Sequence, residues 1–223
     1  GKNIFIDNFK TNYNKRENFL NFKSITNDLR KTDYVIFLAG LVGDPITAKY
    51  PKESNLVNDR GTIKFLKFLA KFKIKKLLYI STCSNYGLST AKKKLNEKSP
   101  LKPLSLYAKS KVDIENYLIK NKEKLGFPFN ILRFSTAFGH SPRMRFDLTI
   151  NQFTKDIFFN KQVLIYDPDT WRPYCHVIDF ARTISVVLKA KKSLIHNQIF
   201  NVGSNSNNYT KRKIIREITK FGI

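Results

Sequence analysis

Cysteine is nearly absent from the 223-residue chain. Cys83 and Cys175 are its two thiols, too few for a disulfide framework or a cysteine-built metal cluster, and no metal site is expected. Long apolar runs are missing too: no stretch approaches the roughly 20 apolar residues that cross a bilayer as a helix. The opening GKNIFIDNFK lacks the basic-then-apolar pattern of a secretory leader. A cytoplasmic protein with no membrane partner is expected. Methionine occurs once, as Met144, so Gly1 is not a natural start, and the chain is expected to be a fragment or a trimmed product. Acidic residues are scarce, 17 against 41 Lys and Arg, for a net charge of +24. Such a charge invites a nucleic-acid partner, but the lysines are spread along the whole chain. In IKFLKFLAKF (63–72), Lys64, Lys67 and Lys71 fall at helical spacing opposite Ile63, Leu66 and Ala70, the pattern of a solvated helix face over a core face. Nucleic acid is therefore not the expected partner; a modest attraction for anionic substrates is.

What is present is an alternation of short apolar runs with longer amphipathic ones. NIFID (3–7), DYVIFLAG (33–40), KLLYIST (76–82), FNILRFS (129–135) and QIFNVG (198–203) read as strands. Segments 54–73, 105–123, 145–158 and 179–191 read as helices, and AKKKLNEKSPLKP (91–103) as a loop. Strand–helix alternation predicts an α/β fold: a Rossmann-like, doubly wound, mainly parallel sheet with helices on both faces. The apolar runs YVIFLA and LLYIS suit strands buried on both sides. Ligands of such sheets bind beyond the carboxyl ends of the strands, where Asp7, Gly40, Thr82, Ser135 and Thr136 gather. Asp7 is of the type that binds a dinucleotide ribose, and it equally suits a turn cap after a strand.

The heptapeptide SLYAKSK (105–111) places Tyr107 and Lys111 four residues apart at a helix entrance, on one face. A cation near a phenol favours the phenolate, which makes Tyr107 a candidate general acid/base. Taken alone, the pair also fits an ordinary surface in a lysine-rich chain.

DYVIFLAGLVGDP, YISTCSNYG, SLYAKSK, ILRFSTAFG, WRPYCHVIDFA and IFNVGS follow one another in this order. The ordered set, covering nearly the whole chain, resembles the NAD-dependent epimerase/dehydratase branch of the extended short-chain dehydrogenase/reductase superfamily, which acts on nucleotide sugars. The resemblance implies a Rossmann portion over residues 1–140, lacking its first strand and Gly-rich turn, and a mixed segment over 141–223 with part of a substrate domain and returning Rossmann elements. It implies NAD as cofactor, a nucleotide-sugar substrate and a homodimer at full length. It assigns catalysis to Thr82, Tyr107 and Lys111: Tyr107 as acid/base on the sugar hydroxyl, Thr82 hydrogen-bonding the same oxygen, Lys111 on the nicotinamide ribose and lowering the phenol pKa. Cofactor contacts carried over are Asp7, Asp28, Leu29, Leu38, Ala39, Gly40, Asn58 and Phe134, together with Tyr107 and Lys111; substrate contacts are Thr136, Asn151 and Arg172. Arginine suits a diphosphate because its planar fork donates in pairs to anionic oxygens. His176 reads as structural.

Dehydratases of this branch place an Asp-Glu pair directly after the catalytic Thr. Here Cys83 and Ser84 stand there, which disfavours elimination and favours an epimerase working through a transient keto sugar. A reductase, a decarboxylase, a dehydratase and a noncatalytic nucleotide-binding remnant are the alternatives. The resemblance also places the family's first strand before Gly1, between NIFID and DYVIFLAG, so a polypeptide ending at Gly1 is expected to bind NAD poorly and be inactive.

Overall fold

In a computed structural model, residues 18–88, 94–160 and 162–221 are described. NIFID and its terminal Asp7 lie outside the described residues. The chain opens with α1 (Phe22–Leu29), β1 (Tyr34–Phe37), α2 (Asp44–Lys49) and α3 (Pro51–Ser54). A π-helical segment (Asn55–Gly61) continues α3 into α4 (Thr62–Leu69). β2 (Lys76–Thr82), a 3₁₀ turn (Cys83–Tyr86), α5 (Leu106–Lys120), α6 (Lys122–Leu125), β3 (Phe129–Phe134) and β4 (Thr136–Phe138) follow. The remainder is α7 (Thr149–Asn160), β5 (Trp171–His176), α8 (Val177–Lys189), α9 (Lys192–Ile195), β6 (Ile199–Val202), β7 (Asn208–Thr210) and α10 (Lys211–Thr219).

The main sheet has the order β1-β2-β3-β6 and is parallel throughout. β2 at its centre is buried at every position, as a strand covered on both faces must be. Its side chains alternate between two cores. Leu77 and Tyr79 join Leu66, Leu69, Ile114 and Leu118 from α4 and α5, while Leu78 and Ile80 join Phe180 and Val187 from α8. Helices therefore cover both faces, the doubly wound arrangement that the strand–helix alternation predicts. A third apolar cluster, of Phe153, Ile157, Tyr174, Ile214 and Ile218, lies under a small second sheet in which β5 pairs in parallel with β4 and antiparallel with β7.

Three expectations change. YVIFLA is not buried on both sides: among the described residues β1 pairs with β2 alone, and Tyr34 and Leu38 are 44% and 58% exposed. Segment 54–73 is not one regular helix, because the π-helical stretch interrupts it. β5 is a strand where the sequence analysis expects none, and Pro173 within it lacks a ladder donor. On α4, Lys64 and Lys67 are exposed as the charge pattern predicts; of the expected core face Leu66 is buried and Ile63 and Ala70 half-buried, and Phe65 and Leu69 are buried beside them. No helix among the described residues is long and apolar enough to cross a membrane.

Two turn glycines give a direct test of the backbone. Gly87, which ends the 3₁₀ turn, has φ +73°, and a Cβ there runs into the Lys102 carbonyl oxygen. Gly126 has φ +68° with nothing within 4 Å of its would-be Cβ. Gly87→Ala is expected to cost at least ~2 kcal/mol, strain plus clash, and Gly126→Ala only about 1 kcal/mol. Denaturant unfolding of the two variants checks the order.

Candidate active site

The candidate catalytic residues meet at the carboxyl end of β2. That strand runs three residues past its last β1 partner, the pair Phe37↔Tyr79, so its tip is open on the β1 side. Thr82 closes it, and its hydroxyl accepts from the Ser84 amide at 3.2 Å, which starts the turn that carries Cys83 and Ser84. α5 begins one residue before Tyr107 because Ser105 caps it, accepting from the Ala108 amide at 3.1 Å. Tyr107 thus lies in the first turn, half-buried, and its hydroxyl makes no hydrogen bond to the described residues. Lys111, a turn later, is buried; its Nζ donates to the Ile80 carbonyl at 2.8 Å and stands 4.8 Å from the Tyr79 ring centre and 5.8 Å from that of Tyr107.

The electrostatics correct one expectation. Burial, reinforced by Cys83, pushes the Tyr107 phenol up to about 12, and the Asp44 carboxylate adds to the rise. The cation that opposes this is the guanidinium of Arg145, not Lys111, which at about 8 has already lost its proton where the phenol ionises. Arg145 stands at the facing loop, its Nη2 3.4 Å from where a Cβ on Gly43 would be, and forms an ion pair with Asp147. Lys111 is itself lowered to about 8 by burial, with Glu115 opposing. Cys83 is raised by burial and stays a neutral thiol.

The depressed Lys111 pKa has a consequence for stability. Below about pH 8 folding buries a charged ammonium. Between about 8 and the ordinary 10.5 the unfolded chain holds a proton the folded chain has shed, so stability rises with pH. The shift corresponds to about 3 kcal/mol. Lys111→Met is therefore expected to be more stable than wild type at pH 7, by at most that amount less the lost Ile80 hydrogen bond, with the margin closing toward pH 10.5. Urea unfolding at pH 7 and 10 checks this; a margin independent of pH contradicts it.

The other candidates divide into two groups. Asn58 clamps the loop after β1: its Nδ2 donates to the Leu41 carbonyl (2.9 Å) and its Oδ1 accepts from the Leu41 amide (2.8 Å). A Cβ on Gly40 would lie 2.8 Å from that Oδ1, which explains the glycine. Ala39, Asn58, Thr62, Tyr79, Ser110 and Lys111 line one small recess, bringing cofactor and catalytic candidates together. Leu38 is exposed beside it. Phe134, at the end of β3, stacks on Phe180 with ring centres 4.0 Å apart. Arg172, on β5, casts its field on Cys83 and Tyr174, and Thr136 opposite Tyr174 on β4 belongs to the same sheet.

The second group has its side chains engaged elsewhere. Leu29 packs in the main core with Phe37 and Phe65, so its side chain is not open to a cleft, and Asp28 sits beside it near the end of α1. Asn151 uses both ends of its amide on the 139–148 loop, accepting from the Gly139 amide and donating to the Arg145 carbonyl, each at 3.1 Å. His176 caps α8, its Nδ1 accepting from the Ile178 amide at 3.3 Å, the structural use expected of it. Sequence reasoning missed Arg145, for which no spacing signal exists, and Glu115, which does carry one: it lies four residues after Lys111.

The profile of the NAD dependent epimerase/dehydratase family matches residues 7–203. Protein CapI of Staphylococcus aureus is 30% identical over 196 residues, 86% of this chain and 57% of CapI. Human dTDP-D-glucose 4,6-dehydratase is 26% identical over 82% of this chain and 51% of its own length. The chain thus spans little more than half the length of either relative. Among solved structures, the UDP-glucuronic acid 4-epimerase of Bacillus cereus, in complex with UDP-glucuronic acid and NAD, superposes with a TM-score of 0.82 at 26% identity, over 93% of this chain and 64% of that one. The chain belongs to the NAD dependent epimerase/dehydratase family.

Proposed function

We propose that the protein is an NAD-dependent nucleotide-sugar epimerase that works by transient oxidation of a sugar hydroxyl. The observation that carries the choice of chemistry is the turn after Thr82. A neutral thiol and a hydroxyl, Cys83 and Ser84, occupy the two positions where water loss needs a carboxylate acid and base. Residues 1–140 are read as the dinucleotide portion and 141–223 as the substrate segment with the returning strand β6, in a homodimer at full length.

The residues fit such a cofactor: exposed Leu38, the Cβ-free Gly40 and the recess beside Lys111 lie together at the open end of the sheet. NAD⁺, when bound, supplies a hydride acceptor and a positive charge near the phenol. In this reading Lys111 holds the ribose, Asn58 stands behind the catalytic strand and shapes the Gly40–Leu41 loop that borders the cofactor, and Phe134 lies at the end of the neighbouring strand. Tyr107, whose phenol is pushed up to about 12 by burial, needs such a charge to act as a base near neutral pH; it then takes the proton of the sugar hydroxyl. Thr82 Oγ1 holds that same oxygen, and Tyr107 returns the proton when the carbonyl is reduced on its other face. Arg172 donates to the diphosphate.

The test incubates the full-length protein with NAD⁺ and a panel of UDP- and dTDP-hexoses, with products resolved by NMR. An epimer of one sugar is the expected product. A keto sugar that has lost water overturns the choice in favour of a dehydratase.

A further inference from the structure

Next to the catalytic candidates, between α5, β2 and β3, lies a buried polar network. Glu115 and Arg133 are 1% and 3% exposed and form a bidentate ion pair, with Arg133 Nη2 2.6 Å and Nε 3.1 Å from Glu115 Oε2. Burying both charges has a desolvation cost that a pair of apolar residues avoids, so the pair is not accounted for by stability alone. Its partners show what it holds.

Glu115 Oε1 accepts from Ser81 Oγ at 2.5 Å and from Asn85 Nδ2 at 2.8 Å. Ser81 directly precedes Thr82, and Asn85 lies in the turn directly after it. The Asn85 amide also donates to Ser81 Oγ at 3.1 Å, while its Oδ1 is buried with no partner among the described residues. An amide turned the other way would set that oxygen against the carboxylate, so Glu115 dictates its orientation. Arg133 Nη1 donates to Tyr86 OH at 2.8 Å and to the Glu97 carbonyl at 3.2 Å. Tyr86 OH donates on to Asn201 Oδ1 at 2.7 Å, and the Asn201 backbone N–H donates to Glu97 Oε1 at 2.7 Å. One buried pair thus fixes the residues on both sides of Thr82, the helix one turn beyond Lys111, the end of β6, and the loop that leads into Tyr107.

We propose that Glu115 and Arg133 are a positioning pair that sets Thr82, Tyr107 and Lys111 in register and holds the charge of Lys111. The proposal rests on the catalytic reading given above for these three residues. The groups that face the Lys111 ammonium are Tyr79 from β2, Tyr107 and Glu115 from its own helix, and uncharged Asn58 from the π-helical segment. Tyr79 is held well above its ordinary value by burial and stays neutral. Asp59 of the π-helical segment acts on Tyr79, while Glu115, one helical turn from Lys111, is the anion that acts on the ammonium itself.

The test compares wild type with Glu115→Gln, which keeps the shape and one acceptor but removes the charge. Its first readout needs no cofactor: the ¹³Cε shift of Lys111 in lysine-labelled protein, assigned with Lys111→Met and titrated with pH. The midpoint is expected to fall below about 8, by on the order of one unit. The second readout is turnover of the full-length enzyme, where kcat is expected to fall at least ~10-fold with little change in KM. If Glu115→Gln does not fold, the double variant Glu115→Gln/Arg133→Met removes both charges, which buried pairs tolerate better than loss of one, and the same fall in midpoint is expected. An unmoved Lys111 midpoint in a folded variant overturns the proposal, as does a rise in KM at unchanged kcat. Absence of turnover in wild type would overturn the catalytic reading instead, and the titration then still decides whether Glu115 holds the charge of Lys111.

Discussion

Tyr107→Phe is expected to lower turnover of a nucleotide sugar by roughly 10²–10⁴-fold, the usual contribution of a positioned acid/base, while KM changes little. Stability is expected to stay within about 0.5 kcal/mol of wild type. The reason is geometric: the ring is half-buried in the first turn of α5, and its hydroxyl makes no hydrogen bond to the described residues. Removing it leaves no buried donor or acceptor orphaned. The variant keeps the aromatic face 5.8 Å from Lys111 Nζ, so the surroundings of the ammonium persist. Steady-state kinetics and a thermal melt on the same preparation check both halves. A variant that retains more than about a tenth of wild-type turnover removes Tyr107 from the acid/base role.

Arg133→Met carries the largest stability effect. It leaves the Glu115 carboxylate buried with Ser81 and Asn85 as its remaining donors, and it deprives Tyr86 OH and the Glu97 carbonyl of a donor. Breaking a buried pair from one side costs about 3–5 kcal/mol. Urea unfolding of the variant measures the deficit, and a loss below about 1 kcal/mol contradicts a buried carboxylate left without its partner. The double variant Glu115→Gln/Arg133→Met is expected to recover part of the loss.

Much of this was legible before any coordinates. The boundaries of β2 are those read from KLLYIST, because a short run bounded by lysine and a polar turn has one way to be a buried strand. α5 starts where Ser105 can cap it, and α4 shows the lysine face and core face that its periodicity implies. Other features depend on what the chain meets in space. YVIFLA has the composition of a doubly buried strand, yet Tyr34 and Leu38 are exposed and, among the described residues, β1 pairs with β2 alone. The π-helical segment carries Asn58, whose amide clamps Leu41 17 residues away, and no local pattern announces it. β4 and β7 are three residues each, too short for an alternation to register.

The site divides in the same way. The i,i+4 pair Tyr107–Lys111 and the strand end at Thr82 were visible as spacing and as family resemblance. The direction of the Tyr107 pKa was not, because burial and the placement of Arg145 decide it. Leu29 and Asn151 illustrate the limit from the other side: matching a motif fixed their positions in the chain, while packing and loop hydrogen bonds fixed how their side chains are used. Glu115 was within reach of the spacing rule that found Lys111. Its partner Arg133, 18 residues on, becomes visible only when β3 is laid beside β2.

The central claim, that Tyr107 works on a sugar hydroxyl whose carbon is oxidised and reduced again in place, has a direct test. The sugar panel is repeated in water with substrate carrying deuterium at the carbon that inverts, using the full-length protein and NAD⁺. The account predicts an epimer that keeps its deuterium, because the hydride leaves and returns without meeting solvent. Deuterium washed out into water would show proton abstraction at carbon and would contradict it.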